Sequence, residues 1–160
     1  MKKVLKWIAV GVAVLFVGIQ FVRPERVNPP AVAADALEAH VNVPPDVKAI
    51  LTRACADCHS NETRWPWYSH VAPVSWFLAD HVREGRDNMN FSAWSSYRPR
   101  ESAGLLNQIC KESKSGTMPL RSYLLLHPSA KLSDADVKTL CDWSESERTR
   151  LTSQSARPSP

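Results

Sequence analysis

The chain has 160 residues, four of them cysteine, and a formal net charge of +4. Five basic residues and one acidic residue among the first 26 account for all of that charge, so residues 27–160 are neutral overall. A nucleic-acid-binding domain would need a basic patch in its folded part, so this charge distribution excludes nucleic acid as a partner. The length fits one domain with short accessory segments.

The N-terminal segment has the charge pattern of a membrane-insertion signal. Residues 1–6 are basic, and residues 7–22 contain no charged side chain. Counted from Val4, the apolar run approaches the roughly 20 residues that a helix needs to cross a bilayer, and basic residues before it predict export of the downstream chain. We expect a signal anchor, that is a transmembrane helix, over residues 1–22. A signal peptide cleaved at the A-x-A sequence of residues 31–33 is the less favoured alternative, because that site lies far past the apolar run.

Proline then interrupts the chain repeatedly. Residues 23–43 are expected to form a proline-rich linker that holds at most one short helix. Beyond it we expect an all-α domain over residues 44–150, because no alternating strand pattern of any length occurs. The final residues, 151–160, are expected to be a disordered tail.

Four amphipathic helices are predicted within the domain from apolar residues spaced by three and four positions. The last is the best signalled, since Ser133 is a helix cap and Asp136 stands three residues later. The predicted helices cover residues 46–54, 73–83, 100–113 and 133–150.

The first of these helices leads into Cys55-Ala-Asp-Cys58-His59, the C-x-x-C-H pattern of covalent haem attachment. In that pattern two thiols bond to the vinyl groups of one haem, and the histidine is the proximal iron ligand. A four-cysteine zinc site would need Cys110 and Cys141 as its second pair, but these are too far apart in sequence to form a zinc knuckle. We therefore expect one covalently attached haem c.

The sixth iron ligand has several candidates. Met118 follows the third helix in the segment Ser-Gly-Thr-Met-Pro, and a thioether ligand raises the reduction potential and is typical of electron-transfer cytochromes. Met118 is therefore the preferred ligand. His70, His81 and His127 are the alternatives, which would give a lower potential, and an open site is a further alternative.

Cys110 and Cys141 remain once the haem has taken its pair. Spare thiols outside the cytoplasm usually form disulfides, so we expect a bond between the third and the last helix. Two buried free thiols are the alternative.

Aromatic and basic residues are also frequent after the haem motif. The aromatic residues are expected to form the wall of the haem pocket, or simply the core: Trp65, Trp67, Tyr68, Trp76, Phe77, Phe91 and Trp94. Arginines that are candidates to pair with haem propionates are Arg64, Arg83, Arg86, Arg98 and Arg100.

Longer motifs surround these residues: C-x-x-C-H-S-N-x-T-x-W-P-W-Y from Cys55, V-A-P-V-S-W from Val71, H-V-x-x-G-R from His81, N-F-S-x-W from Asn90, G-x-M-P-L-x-x-Y from Gly116 and H-P-x-A-x-L-S from His127. Over about residues 44–145 the chain resembles the haem-binding domain family of membrane-anchored bacterial proteins. The resemblance implies a cytochrome c-like haem protein outside the cytoplasm. With the predicted anchor, we expect a single-pass protein of a bacterial inner membrane whose haem domain faces the periplasm.

The favoured function is single-electron transfer to and from redox partner proteins, without enzymatic activity. A haem peroxidase and a gas or redox sensor are the alternatives, and both require an open or exchangeable sixth ligand. A peroxidase would also need a polar catalytic group beside the iron, and the Met118 loop argues against an open site.

Overall fold

The computed structural model describes residues 1–155, and within this range the regular structure is entirely helical, so the all-α prediction is confirmed. The α-helices are α1 (Lys2–Ile19), α2 (Leu37–His40), α3 (Pro45–Ala54), α4 (Ala56–His59), α5 (Val74–Asn88), α6 (Pro99–Ser115), α7 (Arg121–Leu124) and α8 (Asp134–Ser155). Short 3-10 turns lie at Ala33–Asp35, Trp67–His70, Phe91–Ser96 and Pro128–Ala130.

The core is centred on the pairing of α6 with α8, which is the most extensive contact between elements, and α3 also packs on α8. Leu106 of α6 and Leu140 of α8 are completely buried. A disulfide between Cys110 and Cys141 joins the two helices, with 4.6 Å between their Cα atoms. Burial of each large apolar side chain contributes about 1.5–3 kcal/mol, so this helix pair is the main support of the domain.

The ends of α6 set the position of the loop after it. At its start, the Glu101 carboxylate accepts a hydrogen bond from the backbone N–H of Arg98 (2.9 Å). At its end, Gly116 adopts a left-handed φ of +68°, which glycine tolerates without steric cost. The backbone N–H of Met118 then donates to the carbonyl of Glu112 (3.2 Å). Met118 is therefore held close to the last turn of α6.

The predicted transmembrane helix is wrong. Among residues 1–155, no helix combines the length and the apolar character needed to cross a membrane. Helix α1 has 18 residues and ends at Ile19, and its first turns carry lysines. The charge-free part therefore spans about 20 Å at 1.5 Å per residue, less than the roughly 30 Å of hydrocarbon in a bilayer. The predicted single-pass location in an inner membrane, with a periplasmic domain, depended on this helix and is therefore not supported either.

Helix α1 stops where the chain meets the domain. The side-chain amide of Gln20 donates to the carbonyls of Phe16 (3.0 Å) and Ala72 (3.1 Å). Its oxygen accepts a hydrogen bond from the backbone N–H of Ala72 (2.9 Å). These contacts end the helix three residues earlier than the apolar run of the sequence.

Residues 20–30, which we call the strap, then cross the surface of the domain without helical structure beyond the first turn. The indole N–H of Trp76 donates to the carbonyl of Val22 (2.6 Å), and the side chain of Asn61 donates to the carbonyl of Pro30 (3.2 Å). Prolines keep this segment extended, which leaves its carbonyl groups free to accept hydrogen bonds from side chains.

The rest of the expected linker is also packed into the domain. Leu37 and Val41 are buried in the hydrophobic core. The backbone of Asn42 is bonded at both ends to α8, because its carbonyl accepts from the indole of Trp143 (2.7 Å) and its N–H donates to the carboxylate of Glu147 (3.1 Å). The folded unit therefore extends upstream of the residue-44 boundary that the proline pattern suggested.

Two predicted helices continue five residues past their expected ends. Helix α5 continues five residues past Arg83 to Asn88, which places Gly85 and Arg86 on the helix. Helix α8 continues past Arg150 to Ser155. Residues 151–155 of the predicted tail are thus helical, and residues 156–160 lie outside the described part of the chain.

Candidate functional site

A cavity of about 380 Å³ lies between α4, α5, α6 and the Met118 loop. Its volume falls within the usual range of small-molecule sites, about 300–1,000 Å³. Both free cysteines, His59, His81 and Met118 line it, and apolar side chains such as Phe91, Ile109 and Leu120 form much of the remaining wall.

The C-x-x-C-H segment presents its three side chains from a sharp bend. Cys55 is the single residue between α3 and α4, and its dihedral angles are not helical (φ −127°, ψ −39°). Its carbonyl accepts hydrogen bonds from the backbone N–H groups of Cys58 (3.1 Å) and His59 (3.0 Å). One short turn therefore brings two thiols and an imidazole to the same cavity.

The two thiols are neutral at physiological pH. Burial, reinforced by the neighbouring Cys58, raises the pKa of Cys55 to about 12. Burial, reinforced by the Asp57 carboxylate, raises the pKa of Cys58 to about 11. Redox-active dithiols instead have lowered pKa values, so this pair does not fit that class. A zinc site does not fit either, because residues 1–155 contain no group of three or more His, Cys, Asp or Glu side chains arranged to hold a metal ion.

His59 has one ring nitrogen held by a backbone carbonyl. Its Nδ1 lies 3.0 Å from the carbonyl oxygen of Met89, and because a carbonyl only accepts, Nδ1 carries the proton and Nε2 is free to bind a metal. Burial lowers the pKa of His59, which favours the neutral, metal-binding form. The ring centroid of Phe91 lies 6.0 Å from that of His59. The donor set of Cys55, Cys58 and His59 therefore fits haem.

Gly85 allows α5 to lie directly against this turn. A Cβ atom at position 85 would come within 2.6 Å of the Cys58 carbonyl oxygen, a distance at which the backbone would have to move. The sequence motif contains this glycine, but its role becomes visible only in the structure, where it sets the distance between two walls of the cavity.

The structure separates the candidates for the sixth ligand into two groups. Met118 and His81 line the cavity. His81 resembles His59 in one respect, because its Nδ1 lies 2.7 Å from the carbonyl of Phe77, which leaves Nε2 without the proton. Met118 is about one-third exposed.

The other two histidines do not line the cavity. His70 is exposed and lies beside the strap. His127 is engaged elsewhere, since its Nε2 lies 2.5 Å from the hydroxyl of Tyr68 and its ring stacks on Tyr123 with centroids 4.2 Å apart.

Asp57 and Tyr123 form a polar contact at the cavity that sequence reasoning missed. The Tyr123 hydroxyl donates to the Asp57 carboxylate (2.8 Å), which also accepts from Arg64 Nε (3.0 Å). Burial and this hydrogen bond raise the pKa of Tyr123. The contact joins the segment after Met118 to the turn of residues 55–59. Its sequence signal was the final tyrosine of G-x-M-P-L-x-x-Y.

The arginines expected to pair with haem propionates form other contacts or lie exposed, and none of them lines the cavity. No arginine or lysine is among the described residues that line the cavity, and its charged lining residues are Asp57, Glu84 and Glu112. The arginines bond to other partners or lie exposed: Arg64 to Asp57, Arg83 to Asp80 and Asp87, Arg98 to Glu101, Arg86 to neutral oxygens, and Arg100 at the surface.

The expected aromatic wall is also mostly elsewhere. Of the seven aromatic residues expected to form that wall, Phe91 alone lines the cavity, together with Tyr123, which was not among them. Trp94 is in the core, and Trp67 and Phe77 are exposed. The indoles of Trp65 and Trp76 bind the strap.

The chain matches a family model described as a haem-binding domain over residues 14–146. That match begins upstream of the strap and includes it. Neither a curated protein nor a solved structure is significantly similar to the chain. Because the family model covers most of the sequence, from before the strap into α8, the protein is a haem-binding protein and belongs to the haem-binding domain family.

Proposed function

We propose that the protein is a monohaem c-type electron carrier. Cys55 and Cys58 would hold haem through thioether bonds, His59 would be the proximal ligand and Met118 the distal ligand. One observation carries the proposal: two thiols and an imidazole, whose Nδ1 is bonded to the Met89 carbonyl, face the same cavity from one turn of chain.

Haem supplies one-electron iron chemistry when it is bound. The protein's part is orientation and exclusion of water. The hydrogen bond from His59 Nδ1 to Met89 fixes the ring and makes the imidazole a stronger electron donor. Phe91, Ile109 and Leu120 provide an apolar wall, which lowers the local dielectric and so influences the reduction potential.

Met118 supports a carrier rather than an enzyme. A peroxidase keeps the sixth position open, whereas a methionine in the cavity is available to fill it. Its backbone hydrogen bond to Glu112 keeps the loop near α6. The transfer partners would be other redox proteins.

His81 is the second candidate for the sixth position. Its ring is fixed by the Phe77 carbonyl, and its Nε2 is free as in His59. Ligation by two histidines would also give an electron carrier, but one of lower potential.

The test is a comparison of absorption and electron paramagnetic resonance spectra for wild type, Met118→Ala and His81→Ala, with exposed His70→Ala as the control. We expect haem to remain attached after denaturation, and a low-spin ferric spectrum in wild type, His81→Ala and His70→Ala. Met118→Ala should become high-spin in the ferric state and should bind carbon monoxide after reduction to the ferrous state.

Two results would change the assignment. A high-spin wild type that binds carbon monoxide readily would favour the peroxidase or sensor alternatives. If His81→Ala became high-spin while Met118→Ala kept the wild-type spectrum, the sixth ligand would be His81.

A further inference from the structure

Arg86 joins the strap to the segment just after the haem motif. Its Nε donates to the carbonyl of Ser60 and its Nη2 to the hydroxyl of Thr63, both at 2.8 Å. On the strap side, Nη1 donates to the carbonyl of Val27 and Nη2 to the side-chain oxygen of Asn28, again at 2.8 Å. One half-buried guanidinium therefore holds two segments that are more than thirty residues apart.

The bonded loop is itself attached to the haem-binding turn. The hydroxyl of Thr63 donates to the carbonyl of Asp57 (2.7 Å), and the hydroxyl of Ser60 donates to the carbonyl of Ala56 (2.8 Å). Ser60 is also the residue directly after His59. Arg86 is therefore only two hydrogen bonds away from the backbone of the turn that carries Cys58 and His59.

Asn28 is the matching residue of the strap. Its side-chain oxygen accepts from Arg86 and from the indole of Trp65 (3.2 Å), and its amide donates to the carbonyl of Thr63 (2.9 Å). The strap thus binds both Arg86 and the loop that Arg86 holds. The family match includes this segment.

We infer that Arg86 is a positioning residue of the haem site, which uses the docked strap to fix the attachment turn of residues 55–59. This inference rests on the proposed function for the role of that turn. Residues 20–30 then help to position the site, although none of them lines the cavity.

The chemistry explains why the residue is arginine. The four hydrogen bonds of Arg86 all go to neutral oxygens, and burial lowers its pKa. A planar guanidinium offers five N–H donors in a fixed geometry, whereas lysine is a compact charge on a flexible stem. Lysine at position 86 would keep the charge and lose most of the bonds.

The experiment compares wild type, Arg86→Lys and Asn28→Ala as purified full-length protein, with Arg83→Lys as the matched control. Arg83 is on the same helix, and its side chain is 63% exposed with only surface ion pairs. The measurements are amide hydrogen exchange of residues 20–30 and 56–63, circular dichroism of the haem absorption bands, and the reduction potential.

We expect both test variants to exchange about tenfold faster or more in both segments, the factor for loss of one charge-assisted hydrogen bond. Their haem dichroism and potential should differ from wild type, and Arg83→Lys should match wild type. Asn28→Ala leaves Arg86 intact, so it tests the coupling even if the Arg86 variant folds poorly.

Two results would overturn the inference. In one, Asn28→Ala speeds exchange only in the strap and leaves residues 56–63 and the haem signals unchanged, so that the strap is a passive cover. In the other, Arg86→Lys behaves as Arg83→Lys. Failure of the proposed function is distinguished by a separate measurement: the mass of the denatured wild type would then show no attached haem.

Discussion

Helix α5 contacts the cavity with one side and the strap with the other, and the two sides differ in how their polar groups are used. On the cavity side, His81 has one ring nitrogen bonded and the other available. On the strap side, Arg86 is bonded to four oxygens of the protein itself. The cavity side has a ring nitrogen available to coordinate a ligand. The strap side has a guanidinium whose hydrogen bonds are all made within the protein, so it stabilises the fold.

The largest expected effect tests the cavity side alone. Replacement of Cys55 and Cys58 by alanine should abolish covalent haem, as measured by mass spectrometry of the denatured protein, because no thiol then remains in the cavity. The Cys110→Ala/Cys141→Ala variant is the control and should keep its haem. Covalent haem in the first variant would disprove the attachment proposal.

The next effect concerns α6, which forms the cavity wall that faces α5. Loss of the Cys110–Cys141 bond, whose ends are 31 residues apart, should lower the free energy of unfolding by about 2–4 kcal/mol. Denaturant titration of the double alanine variant without reductant measures this. Alkylation of both wild-type thiols in the absence of reductant would contradict the bond.

A smaller effect is expected where α5 touches α4. Gly85→Ala should destabilise the protein by about 1–3 kcal/mol, the usual cost of overpacking, because the new Cβ meets the Cys58 carbonyl. Gly104→Ala is the matched control, since nothing lies within 4 Å of its added Cβ and alanine stabilises a helix by about 0.5–1 kcal/mol relative to glycine. In thermal or denaturant unfolding, the change in the free energy of unfolding should therefore have opposite signs in the two variants. Changes of the same sign would contradict the close approach of Gly85 to the Cys58 carbonyl.

The smallest effect tests the strap side. Trp76→Phe removes the hydrogen bond to the Val22 carbonyl and should cost about 0.5–1.5 kcal/mol. Trp67→Phe is the control, because Trp67 is 77% exposed and its indole N–H makes no hydrogen bond within the described part of the chain. If the two variants were equally stable, the strap would contribute little to the fold at this position.

The helical elements were predictable because their signals are local. Ser133 and Asp136 form the reciprocal cap that their spacing predicts, with Ser133 N donating to the carboxylate (2.8 Å) and Asp136 N to the hydroxyl (3.1 Å). The pairing of Cys110 with Cys141 follows from two apolar helix faces. The C-x-x-C-H pattern is equally local.

The strap was not predictable because its bonds use backbone carbonyls, which every residue has. Proline marked the segment as extended, but nothing in the sequence indicates which side chains its carbonyls meet. The partners of an arginine side chain are equally hard to predict from sequence. Arg86 bonds to Val27 of the strap, whereas Arg83, one turn earlier, pairs with Asp80 of its own helix. The end of α1 at Ile19 depends on Gln20 meeting Ala72, a contact 52 residues away.

The bonds of Asn42 have a consequence for how the chain folds as it is synthesised. Its two partners, Trp143 and Glu147, lie 101 and 105 residues further along the chain, and protein synthesis proceeds from the N-terminus. The hydrogen bonds that hold the N-terminal edge of the domain therefore cannot form until α8 has been synthesised. Contacts of such long sequence separation slow folding, so this edge of the domain is among the last parts to close.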